Sequence, residues 1–288
     1  MFPAAISRRT FLKAFGLSAT AVGVGVLGVG VPEIHGFRVE RVEMQLARLP
    51  RWLDGFRLVQ ISDIHFNDFT HERHLRLAVN AANLEQPDLA VFTGDFVSVP
   101  DLSRDKQKAA ENAWPCARML SELRATHGRF AVLGNHDVGT NRAIVMEAFN
   151  RQGTTVLRNS ATPIEAGGAR LWLAGTDDAL VGRFDLDRTL QDVPRDECVL
   201  LATHEPDVAD RVRRYPVDLQ LSGHTHGGQI CLPGIGPLYL PALGKKYPTG
   251  HYQVGNLQLY TNRGLGVIGL PIRFYCPPEV TIITLRAS

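Results

Sequence analysis

The 288-residue chain has only four cysteines, Cys116, Cys198, Cys231 and Cys276, and no CxxC or other short spacing among them. That excludes a thiolate zinc knuckle and a disulfide-stapled scaffold, and leaves four small buried hydrophobes. No repeat of fixed period and no linker divides the chain, which excludes a solenoid and argues for one body. A strong charge of one sign is missing too: the net charge is +2, and Arg8, Arg9 and Lys13 are the only charged residues before Glu33, so residues 32–288 carry a net −1. The basic excess belongs to the N-terminus, and nucleic acid is not an expected partner. With 44% apolar and 21% charged residues, the rest reads as an ordinary globular protein.

At the N-terminus the residues spell an address. Ser7-Arg8-Arg9-Thr10-Phe11-Leu12-Lys13 resembles a twin-arginine export signal, followed by an apolar stretch from Ala14 to Val31. An ordinary positive-inside anchor is the alternative. These 18 residues are short for a bilayer crossing and diluted by Gly and Ala, and Gly28-Val29-Gly30 is the nearest match to a cleavage site. Gly23-Val24-Gly25-Val26-Leu27-Gly28 matches GxGxxG formally, but no strand precedes it and no amphipathic helix follows, so a dinucleotide loop is rejected. We expect residues 1–35 to engage the twin-arginine machinery or the membrane. Residues 36–288 are then a single domain outside the cytoplasm, anchored and facing outward, or periplasmic or extracellular if the segment is cleaved.

Along that domain, apolar runs keep ending in ligand-type residues. Phe56 to Ser62 reads as a strand running into Asp63-Ile64-His65, Asp88 to Thr93 into Gly94-Asp95, and Arg129 to Leu133 into Gly134-Asn135-His136-Asp137. Cys198 to Thr203 runs into His204, and Val217 to Leu221 into Ser222-Gly223-His224-Thr225-His226. Helices are predicted over 71–86, with a stripe of Leu75, Leu77, Ala78, Ala81, Ala82 and Leu84, over about 103–125, and over 141–152. Helices alternate with strands in the first half and strands follow strands in the second. The predicted fold is an α/β, four-layer α-β-β-α sandwich of two mixed sheets flanked by helices, with one site at the carboxyl ends of the strands. The Gly- and Pro-rich stretch 233–252 reads as a long loop beside that site.

Five of the ten histidines fall in these strand-end loops, while His35, His71, His74, His127 and His251 read as structural or surface groups. Imidazoles, carboxylates and an amide oxygen suit Mn, Fe or Zn better than Ca. If side chains alternate as in extended chain, His224 and His226 cannot chelate one ion and instead serve two adjacent ones. Two ions beside two aspartates leave a cationic site that attracts an anionic substrate and acidifies a bound water.

The series Asp63-x-His65, Gly94-Asp95, Gly134-Asn135-His136-Asp137, His204 and Gly223-His224-x-His226 resembles the five motifs of the calcineurin-like metallophosphoesterases. Gly227-Gly228-Gln229, Asn262-Arg263-Gly264-Leu265-Gly266 and Pro278-Glu279-Val280-Thr281 resemble its membrane-associated or twin-arginine-exported bacterial branch. The resemblance implies two metal ions per chain, one held by Asp63, His65 and His226, the other by Asn135, His204 and His224, with Asp95 between. It further implies attack of a metal-bridging hydroxide on a phosphodiester, pyrophosphate or phosphomonoester, with His136 at the leaving oxygen and Asp137 fixing its ring. Ser98 stands where many members have a second aspartate. Arg263 is a candidate substrate contact, and Lys245-Lys246 reads as a solvated basic pair.

The expected substrate is a phosphorylated small molecule or lipid of the cell envelope, including a UDP-diacylglucosamine-type pyrophosphate, because the loop Leu232 to Pro241 is apolar and directly follows the ligand loop. A non-catalytic envelope protein that binds a phosphorylated ligand is the alternative. An exported redox enzyme is a third reading, with little support from the cysteines.

Overall fold

The computed structural model describes residues 36–66, 70–98 and 105–288. The segment expected to carry the export signal or anchor lies outside these residues. No helix among the described residues is long and apolar enough to cross a membrane.

In chain order the strands are β1 (Arg38–Leu46), β2 (Arg57–Ile61), β3 (Leu89–Phe92), β4 (Arg129–Ala131), β5 (Thr154–Val156), β6 (Ser160–Ala166) and β7 (Ala169–Gly175). They continue as β8 (Val199–Ala202), β9 (Leu219–Ser222), β10 (Cys231–Leu232), β11 (Gly236–Pro237), β12 (Gly250–Val254), β13 (Leu257–Thr261) and β14 (Glu279–Ala287). The α-helices are α1 (Glu72–Leu84), α2 (Lys106–Glu111), α3 (Ala113–Leu120), α4 (Asn135–Arg151), α5 (Leu186–Leu190) and α6 (Ala209–Val212). One six-stranded sheet has the order β1-β14-β2-β3-β4-β5, the other β12-β13-β9-β8-β7-β6, and β10 and β11 form a separate small hairpin.

Strand parity divides the core into three layers of side chains. Leu58, Leu89, Val91 and Ile283 of the first sheet meet Leu171, Leu173, Leu200, Leu219 and Leu221 of the second. The alternate residues Val59, Ile61, Ala90 and Phe92 face the helices, against Leu75, Ala78, Leu120 and Phe149. On the far side Val199, Leu201, Leu257 and Leu259 pack on Leu186, Val208 and Val212. Both faces of each sheet are therefore covered, which is why the strands read as continuous apolar runs. The architecture is the predicted α-β-β-α sandwich.

Local differences from the sequence expectation have physical causes. On α1 the buried positions are Leu75, Ala78, Val79 and Ala82, the i, i+3, i+4, i+7 face, so Leu77 and Leu84 of the expected stripe are exposed. The long helix expected near 103–125 is two short ones that meet at Asn112, and Pro115 sits in the first turn of α3, where no backbone donor is needed. The helix expected from 141 starts at Asn135 and kinks at Asn141. Its first turn is thus the ligand motif itself.

Candidate metal centre

Five strands deliver side chains to one end of the sandwich: β2 runs out into Asp63 and His65, β3 into Asp95, β4 into Asn135, β8 into His204 and β9 into His224 and His226. Each exit is abrupt, and the backbone makes it in the left-handed region at Asp63 (φ 49°), His65 (47°), Asp95 (55°), His224 (72°) and His226 (52°). Such backbone costs an L residue roughly 1–2 kcal/mol. Five instances at one locus mean that the sheets hold the strain. Glycines allow the loops to touch: a Cβ on Gly134 would lie 2.2 Å from Asp95 Oδ1, and one on Gly223 would lie 1.9 Å from Ser62 Oγ.

The donors fall into two buried triads, Asp63, His65 and His226, and Asp95, His204 and His224, each with ligand-type atoms within 4.8 Å of one another. His65 Nε2 and His226 Nε2 are 3.0 Å apart, and His226 Nε2 is 3.5 Å from Asp63 Oδ1. Asp95 Oδ2 lies 3.2 Å from His204 Nε2 and 3.8 Å from His65 Nε2, which puts it between the triads. His224 and His226 part company, as the alternation argument required, but the conformation is different: both are left-handed, with Thr225 helical at φ −82°, ψ −21°.

The far side of each ring is fixed. His204 Nδ1 donates to Thr93 O at 2.6 Å and His224 Nε2 to Ala242 O at 2.8 Å. Because a carbonyl only accepts, His204 Nδ1 and His224 Nε2 carry protons, and His204 Nε2 and His224 Nδ1 are the nitrogens turned to the cluster. In the first triad His65 Nδ1 meets Ser98 Oγ at 2.9 Å, and His226 Nδ1 accepts from the Arg273 guanidinium at 3.3 Å. His204 Nε2 and Asn135 Oδ1 are buried without a hydrogen-bond partner; the 3.2 Å approach of His204 to Asp95 is close but not aligned as a hydrogen bond. Buried polar atoms seldom stay unsatisfied. Converging imidazole nitrogens and carboxylates with an orphaned amide oxygen fit cations, and the imidazole, carboxylate and amide set fits Mn, Fe or Zn.

The protein's own charges already separate the groups. Burial pushes Asp63 up to about 6, and holds His65 and His224 down at about 3 and His226 well below its usual range. Burial opposes the charges on Asp95 and His204 as well, yet their attraction wins: His204 is held well above the imidazole range, and Asp95, with His136 also near, well below the carboxylate range.

Around the triads the sequence-predicted residues divide. The ring of His136 stands perpendicular to that of His65, centroids 5.0 Å apart, and its backbone N–H donates to Asp95 Oδ1 at 2.9 Å. Asp137, expected to fix the His136 ring, takes backbone N–H groups from Asp95, Phe96, Val97 and Gly134 at 2.8–3.2 Å. Burial and the neighbouring Asp95 push its carboxyl up to about 8. These contacts brace the Asp95 loop against the start of α4. The guanidinium of Arg263 is paired with Glu40 and Glu279. Lys246, of the basic pair, holds Asp210 at 2.6 Å. Arg273, which the sequence reading passed over, is fully buried and also donates to the carbonyls of His226, Arg263, Gly264 and Cys276. A signal was there: it is the single charge in residues 264–278.

Comparison with known proteins agrees with this geometry. The family model described as calcineurin-like phosphoesterase matches residues 56–228. The chain is 37% identical over 290 residues to the uncharacterized metallophosphoesterase YkuE of Bacillus subtilis, covering 98% of this chain and 99% of that one. It is 32% identical to the phosphodiesterase YaeI of Escherichia coli, covering 97% and 99%. In fold it resembles the crystal structure of TT1561 of Thermus thermophilus, with a TM-score of 0.50 at 12% identity over 73% of this chain and 89% of that one. The chain belongs to the calcineurin-like phosphoesterases, hydrolases with a dinuclear metal site, and its two triads could hold those ions.

Proposed function

We propose that this metallophosphoesterase is exported by the twin-arginine route and hydrolyses a phosphodiester or pyrophosphate of the cell envelope, with lipid-linked phosphoesters the favoured class. One observation carries the chemistry: two buried donor triads meet at Asp95, with the His136 ring beside them. Bound cations supply the positive charge that makes phosphorus electrophilic and water acidic.

The chain's own residues supply the rest. Asp95, between the triads, sets their separation. His136 is held against the cluster through its backbone bond to Asp95, and protonates the oxygen that leaves as the P–O bond breaks. Water supplies the new P–O bond and the proton that restores His136, so no covalent enzyme intermediate is required. Asp137 keeps the Asp95 loop and the first turn of α4 in register, and that register places His136. The net cationic character of a loaded site attracts phosphate oxygens.

Support for an envelope substrate comes from Arg8-Arg9 with the apolar stretch that follows, and from the lack of charge in residues 227–244 directly after His226. The test is a metal-supplemented screen of nucleotide, sugar and lipid phosphoesters beside bis(p-nitrophenyl) phosphate. About two equivalents of metal and turnover of at least one diester or pyrophosphate are expected. Metal-loaded protein inert toward the whole panel would leave the non-catalytic reading, binding of a phosphorylated ligand, in its place.

A further inference from the structure

Ten large apolar side chains are exposed among the described residues, and five of them, Ile235, Leu238, Tyr239, Ile272 and Tyr275, lie on two segments that meet beside the metal centre. Backbone pairing joins the segments: Ile230 bridges to Phe274, Cys231 N–H donates to Phe274 O at 2.9 Å, and Phe274 N–H donates to Gln229 O at 3.0 Å. The Gln229 side chain donates to Ile268 O and Leu270 O and accepts from Ile268 N–H, which ties this rim to the ligand loop three residues after His226. Residues 227–244 contain no charge, and the single charge in 264–278 is the buried Arg273. So large an uncharged, exposed surface on one end of a protein marks an interaction site.

The topology says what covers it. β14 is antiparallel to β2, so Glu279 stands at the metal end, and β1, parallel to β14 with Arg38 opposite Glu279, begins there too. Arg38 N–H donates to Pro278 O, three residues beyond Tyr275. The described residues thus begin at the rim, and the sequence before them includes the apolar stretch Ala14 to Val31. Exposed Arg38 and Lys245 flank it with positive charge. Trp52, also exposed, is at the other end, before the amino end of β2.

We propose that this rim seats on an anionic lipid bilayer, with Ile235, Leu238, Tyr239, Ile272 and Tyr275 in the acyl boundary and Arg38 and Lys245 at the headgroups. The metal centre then opens onto the headgroup layer. This rests on the phosphoesterase reading for its consequence, not for its geometry.

Full-length Tyr239→Trp protein, compared with the parent, is reconstituted with phosphatidylglycerol and phosphatidylcholine vesicles carrying acyl-chain bromines. The introduced indole should shift to the blue and lose at least half of its emission, while the parent's own tryptophans, Trp52 included, change little. An introduced indole that stays open to aqueous acrylamide and untouched by bromolipid overturns the proposal. So does a blue shift that grows with protein concentration without vesicles, which would assign the rim to a second copy. Turnover of the same phosphoester panel on these samples reports separately on the metal centre. Quenching without turnover defeats the phosphoesterase reading and leaves the seat standing; turnover without quenching does the reverse.

Discussion

The two triads have the same three donor types and are built differently. In the triad of Asp95, His204 and His224, the rings are held from behind by main-chain carbonyls, Thr93 O and Ala242 O. In that of Asp63, His65 and His226, they are held by side chains, Ser98 Oγ and the Arg273 guanidinium. A carbonyl fixes the ring's proton whatever residue bears it. A hydroxyl both donates and accepts, and a guanidinium only donates, so the second kind of support can be changed by a single substitution. One half of the site is thus secured by the fold and the other by sequence choice.

The largest effect expected is that of erasing the distinction. Asp95→Ala removes the group between the triads, and metal content should fall below one equivalent with turnover at background, read by elemental analysis beside a diester assay. His136→Ala tests whether chemistry is separable from both triads: two equivalents of metal retained and turnover lower by roughly 10²–10⁴-fold. Metal loss from either triad in that variant would move His136 from the reaction to the ligand set.

Acid should tell the triads apart. A metal ion entering the second triad must displace the proton that Asp95 holds on His204, so its affinity should fall as pH drops through neutrality. Over the same range the first triad has little to displace, since burial keeps His65 near 3 and Asp63 near 6; it should weaken only below about pH 6. Calorimetric titrations in buffers of different ionisation enthalpy count the protons, and equal release at both sites would refute the difference. Smaller still, Ser98→Ala should weaken only the first-triad ion, by roughly 10-fold, the low end for an outer partner of a metal ligand. Equal weakening of both sites would break the comparison.

What the sequence revealed follows the same division. Strand runs ending in Asp63, Asp95, Asn135, His204 and His224 were legible because a strand and the residue just beyond it are local facts, and sandwich order followed from helix and strand alternation. Arg273 reaches His226 from 47 positions away. Nothing local marks such a contact, except the oddity of one charge in an apolar stretch. Arg263 sits among the right glycines, and nothing in the sequence marked its pairing with Glu40 and Glu279, which are distant in the chain. For Asp137 the sequence did not reveal the four backbone donors, which converge on it only after β3 and α4 have packed.

One feature of the first sheet bears on when any of this can exist. β14 lies between β1 and β2, and the turn at Asp63 is stitched by Leu265 N–H to Ser62 O, Gly266 N–H to Asp63 O, and His224 N–H to the Asp63 carboxylate. A nascent chain therefore cannot join β1 to β2 until β14 has been made, and lacks the ties at the Asp63 turn until residues 265 and 266 have been made. With contacts this distant in sequence, assembly is slow and late. The second triad, whose donors and carbonyl supports all lie before residue 243, is by contrast complete in sequence long before the first sheet can join β1 to β2.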